Sequence, residues 1–345
     1  MAELTATIIT HNEEHTIRAC LESVAWAKEI VVVDSGSSDR TLEICRGYTD
    51  KVVINPWVGF IEQKNFAVSL ATYDWILNID ADERVPEELR RAIERELCAP
   101  RYDGYRMARR NYFLGRWMRH GGWYPDRVLR LFDRRKGRFG GINPHACLVM
   151  PNGAVGSLDG DLIHLTYRDV SQYIRKQDAY TGTSVEERAR TRRSGPVGRA
   201  ELMLRPLVKF VQVYLLKRGF LDGMQGLIAA LGAAYFNFVK YTKMRALGHD
   251  APLNNHLVNP ISEYLRRMDR DSTIAEAALE QEGRRTGPLD LLVRPLFTFL
   301  QACLRRGDIL EGRRGLTMAG LHAGATFAAY AKLWERHRLN REVEW

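Results

Sequence analysis

Trp75-Ile76-Leu77-Asn78-Ile79-Asp80-Ala81-Asp82-Glu83 is an apolar run that ends in two carboxylates at alternate positions. On an extended backbone, residues two apart point to the same side, so Asp80 and Asp82 should share one face. Two adjacent carboxylates favour a positive partner, and a hard divalent cation that also binds a diphosphate suits such oxygen ligands. A solvated strand end carries the same pattern, so the interpretation depends on the segments around it.

Strand and helix patterns alternate through the first half of the chain. The predicted strands are 4–9, 30–33, 51–54 and 74–79, and the predicted helices are 13–26, 61–71 and 86–97. Strands separated by helices of this length predict a parallel sheet, whose ligands bind beyond the carboxyl ends of the strands. We therefore expect His11–Glu13, Asp34–Gly36 and Asp80–Asp82 to meet at one edge of the sheet.

The composition supports a folded protein with an anionic partner. The 345 residues suffice for two domains, or for one large domain with an appendage, and 45% hydrophobic residues suffice for a core. A net charge of +9 and a pI near 9.4 predict binding to nucleic acid, a membrane surface or a phosphorylated substrate. The excess is concentrated at residues 101–138, where twelve Lys and Arg residues accompany three Asp residues, which indicates a site.

The cysteines and the start of the chain point to a reducing compartment. Five scattered cysteines without a C-x-x-C pair argue against structural zinc and against a disulfide framework. Met1–Thr5 lacks a basic segment and leads directly into a strand, so no secretory signal is predicted. The longest uncharged run of the second half, Gly315–Ala331, is shorter than the roughly 20 residues that a spanning helix needs.

The second half contains an internal repeat at a spacing of 89 residues. Residues 205–244 and 294–333 share 14 identities in 40 ungapped positions, among them Lys243 with Lys332. With small gaps, the match extends upstream of these positions. Ser171–Arg175 resembles Ser262–Arg266, and Arg192–Pro196 resembles Arg284–Pro288. We therefore predict two copies of one helical unit, at 171–250 and 262–335, after a first domain at 1–170.

Each copy pairs an apolar helix with a second helix that is rich in small residues. In the first copy, Pro206–Leu216 is apolar apart from Lys209 and Gln212, and Met224–Val239 carries no charge. Apolar stretches of 11–16 residues flanked by Lys, Arg and aromatic residues favour helices that lie in a membrane interface. The alternative is a buried helical hairpin that packs on the first domain.

Four motifs occur in an order that resembles family 2 glycosyltransferases. They are Thr10-His11-Asn12-Glu13-Glu14, Val33-Asp34-Ser35-Gly36-Ser37-Ser38-Asp39, Gln63-Lys64-Asn65 and Asn78-Ile79-Asp80-Ala81-Asp82-Glu83. With Gly121–Asp126 and Arg130–Phe132, residues 1–245 look most like the bacterial lipopolysaccharide-core glucosyltransferase branch. The resemblance implies an α/β fold of the GT-A nucleotide-sugar-binding type with a mostly parallel sheet, a divalent metal (Mg²⁺ or Mn²⁺) and inversion at the anomeric carbon.

The resemblance also implies roles for the residues at the strand ends. Asp82 would be the direct metal ligand, Asp80 would face the ribose or a metal-bound water, and Asp34 would accept a hydrogen bond from uracil. Lys64 and Arg130 would support the diphosphate, since Arg offers a bidentate fork to phosphate. The other predicted donor-site residues are Thr10, Asn12, Glu13 and Ser35, and the predicted acceptor-site residues are Trp123, Tyr124 and His145.

An inverting transfer needs a general base for the acceptor hydroxyl, and Asp126 is the candidate. Pro125 and the aromatic residues before it would partly desolvate this carboxylate; the alternative is an ion pair with Arg127 or Arg130. Relatives tend to have Glu where this chain has Ala146, which puts an acceptor-binding or base role of that position in doubt. His164 is either an extra metal ligand or a core histidine.

The leading hypothesis is an inverting, metal-dependent transfer from a UDP-sugar, with glucose as the implied sugar. The acceptor would be a phosphorylated, lipid-anchored saccharide at the cytoplasmic face of the inner membrane, facing the arginine-rich segment 101–138. The alternatives are transfer to a polyprenyl phosphate, which needs no general base, and a non-catalytic membrane scaffold. No stacking motif or recognition helix indicates nucleic-acid binding. The second helical copy could bind membrane, form a dimer or cover the first copy.

Overall fold

The computed structural model describes residues 2–143, 145–190, 197–247, 259–305 and 313–339. The chain divides into two compact units. The first unit comprises the residues up to Tyr112 together with Trp123–Thr166, and the second comprises Phe113–Gly122 and the residues from Tyr167 onward.

The first unit is an α/β structure built around a mixed sheet. Its strands are β1 (Leu4–Thr10), β2 (Glu29–Asp34), β3 (Val52–Ile54), β4 (Trp75–Asp80), β5 (Glu83–Arg84), β6 (Gly104–Phe113), β8 (Asp126–Asp133), β9 (Arg138–Ile142), β10 (His145–Val149) and β11 (Val155–Tyr167). The short strand β7 (Arg116–Trp117) belongs to the second unit. Along the main sheet the order is β3-β2-β1-β4-β8-β6-β11-β5, and β9 pairs with β10 in a separate hairpin.

The predicted parallel arrangement is confirmed for the strands that alternate with helices. β1 is parallel to β2 and β4, and β2 is parallel to β3. The intervening helices are α1 (Ile17–Val24), α2 (Thr41–Arg46) and α3 (Phe60–Ser69), followed by α4 (Glu87–Cys98). The later strands lack such crossovers, so β8 pairs antiparallel with β4 and β6, and β11 pairs antiparallel with β5.

The core of this unit lies between the sheet and its helices. β1, β2 and β4 are buried along nearly their whole length because helices cover both faces. Leu21 from α1 and Ile93 from α4 are fully buried against the strand residues Ile8 and Leu77 in one apolar cluster. This packing fixes the strand ends from which the candidate site is built.

The second unit is helical. Its helices are α5 (Val170–Arg190), α6 (Arg199–Phe210), α7 (Gly223–Leu247), α8 (Asn259–Gln281), α9 (Pro288–Arg305) and α10 (Arg313–Leu339). A π-helical turn (Val211–Leu216) continues α6, and a 3-10 turn (Gly219–Asp222) precedes α7. No helix among these described residues is long and apolar enough to cross a membrane.

Two buried lysines make matching contacts at the repeat positions. Lys243 Nζ donates to the Asp178 carboxylate (2.6 Å), to the Asp178 carbonyl (3.1 Å) and to Thr181 (3.0 Å). Its counterpart Lys332 donates to the Asp269 carboxylate (2.7 Å), to the Asp269 carbonyl (2.5 Å) and to a threonine hydroxyl (2.8 Å). The two lysines thus have equivalent partners, and the duplication itself stays a prediction. The match Arg192–Pro196, by contrast, lies outside the described residues.

The two predicted interfacial helices of the first copy differ in burial. α7 is buried through Leu227, Ile228, Phe238 and Val239. The α6 segment and the turn after it, in contrast, expose a series of large apolar side chains to solvent.

Candidate active site

Two loops at the carboxyl ends of β1 and β2 are bonded to each other. Asn12 adopts a left-handed backbone conformation (φ 55°), and its amide N donates to Ser37 Oγ at 2.8 Å. Asn12 Oδ1 in return accepts from the Ser38 amide at 2.8 Å. Glu13 N donates to Thr41 Oγ1 at 2.8 Å, which ties the same loop to α2. These bonds hold the predicted nucleoside-binding turn in one conformation.

Asp34 is fully buried and organises the loop after β2. One carboxylate oxygen accepts from the amides of Gly36 (2.8 Å) and Ser37 (2.7 Å), and the other accepts from Ser37 Oγ. Gly36 has a positive φ of 93°, which glycine adopts without strain. Three of the four lone-pair directions of Asp34 are therefore used by its own loop, which leaves one for a ligand.

Thr10 and Ser35 lie beside each other at this edge, as the strand register requires. Thr10 is the partner of Asp34 in the β1–β2 ladder, and the Ser35 amide donates to the Thr10 carbonyl at 3.0 Å. Gln63 Nε2 donates to Ser35 Oγ at 3.0 Å. The Thr10 hydroxyl is buried and has no hydrogen-bond partner among the described residues.

Asp80 ends β4 and is held between two cations. Lys64 Nζ lies 2.6 Å from one oxygen, and Arg130 Nη2 lies 2.5 Å from the other. Burial alone would raise the pKa of Asp80, but Arg130 and Lys64 outweigh it and hold the pKa well below its usual range. Burial and the neighbouring Arg130 lower the pKa of Lys64. The two cations predicted to face a diphosphate are thus paired with Asp80 in this structure.

Glu83 is a fully buried carboxylate that links two arginines. Its Oε1 accepts from Arg130 Nη2 at 2.8 Å and from Arg109 Nη1 at 3.2 Å. Its Oε2 accepts from the Asp80 amide at 2.9 Å. A buried carboxylate is stable only when paired in this way, so Glu83 fixes both guanidinium groups against the carboxyl end of β4.

Asp126, the candidate base, is paired with Arg109 rather than with Arg127 or Arg130. Arg109 Nε (2.9 Å) and Nη2 (2.5 Å) both donate to Asp126 Oδ2, and Asn111 Nδ2 approaches the same oxygen at 3.4 Å. Among the described residues, no hydrogen bond is made to Oδ1, and the side chain is about one-third exposed (34%). One oxygen is therefore held in place while the other is open to a ligand.

Asn111 connects Asp126 to His164. Its amide nitrogen donates to the Trp123 carbonyl at 2.8 Å, which leaves the amide oxygen facing His164 Nδ1 at 2.6 Å. An amide oxygen only accepts, so the proton of a neutral His164 is assigned to Nδ1. Nε2, on the other side of the ring, lies 3.6 Å from Asp82 Oδ1.

The Asp82–His164 pair has the donor types of a divalent metal site. Carboxylate oxygens and unprotonated imidazole nitrogens are common ligands of divalent metal ions, and the contact of His164 Nδ1 with Asn111 fixes the orientation of the imidazole. In the part of the chain that the structure describes, no group of three His, Cys, Asp or Glu side chains could hold a metal. These two side chains could therefore hold an ion only together with ligands from a substrate or water.

The predicted acceptor residues fall into two groups. Trp123 and Tyr124 are half-buried, and Tyr124 Oη donates to Asp161 at 3.3 Å; the bond between Tyr124 and Pro125 is cis. The side chain of His145 lies outside the described residues, although its backbone begins β10. Asn143, from the same motif, accepts from the amides of Phe60 and Ile61 and so caps the start of α3.

Most arginines of segment 101–138 within the first unit are paired with carboxylates. Besides Arg109 and Arg130, Arg110 pairs with Asp161, and Arg135 pairs with Asp133. The local charge excess predicted from the sequence is thus largely neutralised by ion pairs of the fold.

Three residues of this network were not predicted as site residues: Glu83, Arg109 and Asn111. Glu83 directly follows the Asp80/Asp82 motif, and this position in the sequence could have marked it as a site residue. Arg109 and Asn111 alternate along β6 and so point the same way, but β6 lies far from the motif in sequence.

Comparison with known proteins identifies the family. The family described as "Glycosyl transferase family 2" matches residues 5–151. The lipopolysaccharide core biosynthesis glycosyltransferase LpsC of Rhizobium meliloti is 32% identical over 254 residues, which cover 70% of this chain and 91% of LpsC. The chain belongs to glycosyltransferase family 2. This family 2 glycosyltransferase is also 27% identical to an uncharacterized glycosyltransferase of Rickettsia typhi, over 72% of this chain and 88% of the relative.

Solved structures include similar chains. The family 2 chain is 14% identical to residues 1–349 of Staphylococcus aureus TarS in complex with UDP-GlcNAc, with a TM-score of 0.37, over 82% of this chain and 93% of that one. Among the curated relatives, the match to LpsC confirms both the family and the similarity to lipopolysaccharide core enzymes that the motifs predict.

Proposed function

We propose that this family 2 glycosyltransferase is an inverting, metal-dependent enzyme. It transfers a sugar, with glucose as the first candidate, from a UDP-sugar to a hydroxyl of a lipid-anchored, phosphorylated saccharide such as a lipopolysaccharide core. It acts at the cytoplasmic face of the inner membrane. The observation that carries the proposal is the Asp82–His164 pair, which Asn111 joins to the half-open carboxylate of Asp126.

The donor would lie along the edge formed by β1, β2 and β4. The free lone pair of Asp34 and the unpartnered Thr10 hydroxyl would bind the nucleoside, beside the loop that Asn12, Glu13 and Ser35 form. A GT-A fold fits this arrangement, because ligands of parallel sheets bind at the carboxyl ends of the strands.

Asp82 and His164 would hold Mg²⁺ or Mn²⁺ together with the donor diphosphate. The ion, when bound, offsets the negative charge that develops on the leaving UDP. Around this position three cations (Lys64, Arg109 and Arg130) face four carboxylates, counting Asp80, Asp82, Glu83 and Asp126. One carboxylate is thus in excess, which favours an added cation. Lys64 and Arg130 would stabilise the diphosphate from the Asp80 side.

Asp126 would remove the proton from the acceptor hydroxyl through Oδ1. Arg109 and Asn111 hold Oδ2, so the open oxygen has a fixed direction. As the attacking oxygen bonds to the anomeric carbon and the bond to the diphosphate breaks, the proton passes to Asp126. Trp123 and Tyr124 would contact the acceptor sugar, and His145 would contact its phosphate.

The test is a screen of UDP-, GDP- and TDP-sugars for donor hydrolysis, with and without Mn²⁺. We expect hydrolysis of a UDP-sugar that requires the ion and that is lost in Asp82→Asn. Equal hydrolysis with and without added ion, after chelation, would reject the metal role. Failure to hydrolyse or bind any nucleotide sugar would instead favour the non-catalytic scaffold.

A further inference from the structure

The second unit brings two basic segments together. Residues 113–122 and 199–222 contain seven Lys and Arg residues but only two acidic residues, Glu201 and Asp222. The segments are joined by a hydrogen bond from the Gly121 amide to the Lys217 carbonyl at 2.8 Å. The positive charge of these segments is therefore concentrated in one place within the unit.

Both acidic residues of these segments are already engaged. Glu201 pairs with Arg205 on the same helix. Asp222 is buried and accepts from the amides of Arg119 (3.3 Å) and His120 (2.8 Å), and its carboxylate also contacts His120 Nδ1 at 3.0 Å. Neither carboxylate is left to neutralise the lysines nearby.

Lys209 and Lys217 form what we term the lysine pair. Lys209 is half-buried at the end of α6, and Lys217 follows the π-helical turn. Burial lowers the pKa of Lys209, and the charge of Lys217 adds to this lowering. Neither ammonium group has an acidic partner among the described residues. Two lysines on one helical segment that lack a counter-ion favour a bound anion.

Exposed apolar side chains flank the lysine pair on the same stretch of chain. Val208 is 64% exposed and Leu216 is 75% exposed, each directly before one of the two lysines. The other large exposed apolar residues of this stretch are Met203, Leu204, Leu207, Leu215, Phe220 and Leu221. A ligand for this surface would have a negative head group and an apolar body.

The second copy of the repeat has the apolar face but lacks the charge at the Lys209 position. Leu296 and Phe297 are exposed at the positions that match Leu207 and Val208. Thr298 replaces Lys209, and its hydroxyl hydrogen-bonds to Thr326 at 3.0 Å. The residue that aligns with Lys217 lies outside the described range. The charge at the Lys209 position therefore distinguishes the first copy.

We propose that the lysine pair and its apolar surroundings bind the phosphate head group and acyl region of an anionic phospholipid, so that α6 is the membrane-docking element of this enzyme. The proposal rests on the proposed function, in which the enzyme acts at the membrane surface, and it assigns membrane binding to the α6 site. Each basic side chain near an anionic surface adds to binding, and apolar side chains at the same place add burial in the interface.

The test is flotation of the full chain with two kinds of vesicle. One contains only phosphatidylcholine, and the other contains phosphatidylcholine and phosphatidylglycerol in equal parts. We expect binding to the anionic vesicles that weakens with salt, and on the order of tenfold weaker binding for Lys209→Gln/Lys217→Gln. The matched control Lys28→Gln/Lys136→Gln removes the same charge from exposed positions of the first unit and should float like the wild type.

A second pair of variants tests the apolar part. Leu207→Ser should weaken flotation more than Leu296→Ser, its counterpart in the second copy. Adding inorganic phosphate separates the two sources of the anion: release of the protein at low millimolar phosphate would show that the site recognises phosphate without the lipid.

Three outcomes would overturn the proposal. The first is equal flotation with neutral and anionic vesicles, and the second is flotation of the lysine double variant at the wild-type level. The third is a dimer in vesicle-free buffer that Leu207→Ser dissociates, because this face would then be a contact between copies of the chain. Donor hydrolysis is measured in parallel on every variant. Lost flotation with intact hydrolysis reports on docking alone, whereas absent hydrolysis in the wild type reports on the proposed function.

Discussion

His164 Nε2 lies 3.6 Å from Asp82 Oδ1, although Asp82 belongs to the turn between β4 and β5 and His164 to β11, far later in the sequence. The contact follows from the antiparallel pairing of β11 with β5, in which His164 is opposite Glu83. The Leu165 amide also donates to the Asp82 carbonyl at 2.9 Å. Strand pairing thus brings a second candidate metal ligand to the carboxylate motif.

Removing either member of this pair should weaken metal use. We expect Asp82→Asn to lower the rate of sugar transfer by about a hundredfold or more, since a bound metal contributes several kcal/mol to such reactions. His164→Gln should mainly raise the Mn²⁺ concentration needed for half-maximal rate. Asp74→Asn, at the other end of β4, is the control and should transfer at the wild-type rate. Equal Mn²⁺ requirements in His164→Gln and wild type would remove His164 as a ligand.

Asn111 should act through His164. In Asn111→Leu the imidazole loses its 2.6 Å partner at Nδ1 and keeps only the Thr166 hydroxyl at 3.3 Å, so we expect roughly 10- to 100-fold weaker Mn²⁺ binding. Asn111→Asp keeps an oxygen that accepts from Nδ1 and should restore the affinity. Calorimetric titration with Mn²⁺ measures both variants, and a similar loss in both would indicate a structural role only.

Asp126→Asn distinguishes the two kinds of acceptor. With a hydroxyl acceptor, loss of the base should reduce kcat by roughly 10²- to 10⁴-fold and leave the KM for the donor unchanged. A phosphate acceptor is already ionised and needs no base. Unchanged turnover would therefore exclude Asp126 as the base and support transfer to a polyprenyl phosphate.

Glu83→Gln should destabilise the first unit, because it leaves Arg109 and Arg130 without their shared buried carboxylate. Breaking a buried ion pair from one side costs about 3–5 kcal/mol. Urea unfolding should show this loss, whereas Glu87→Gln, an exposed glutamate on α4, should unfold like the wild type. An unfolding free energy equal to that of wild type would show that the two arginines find other partners.

Glu335 should make the stability of the second unit depend on pH. Burial, with added repulsion from Asp169 and Glu276, raises its pKa to about 7, although the Val170 amide and Lys332 oppose the shift. The protonated carboxyl is favoured in the fold, so this stability is fully present below about pH 4.5 and is lost as the pH rises through about 7.

The variant Glu335→Gln should remove this dependence. We expect its unfolding free energy to change less between pH 5 and 8 than that of the wild type, by at most about 3 kcal/mol. Glu282→Gln, an exposed glutamate near the end of α8, serves as the control. Parallel pH profiles for Glu335→Gln and wild type would contradict the shift.

Much of the first unit could be predicted from local patterns. The strand predicted at 74–79 is β4 (Trp75–Asp80), and the helix predicted at 86–97 is α4 (Glu87–Cys98). Apolar runs with clear helix starts depend on short-range physics, so the sequence reveals them. Parallel topology then places Thr10 beside Asp34, and Ile9 beside Asp80, as expected.

The sequence by itself determined the carboxylate motif, the alternating strand and helix pattern of residues 4–97, the family, and the matching residues of the second half. Only the tertiary structure decided which charges meet: Arg109 with Asp126, Glu83 with both arginines, and His164 with Asp82. These contacts join β5, β6, β8, β11 and the turn after β4. Antiparallel pairing and register choose such partners through long-range packing, and no local pattern in the sequence encodes that choice.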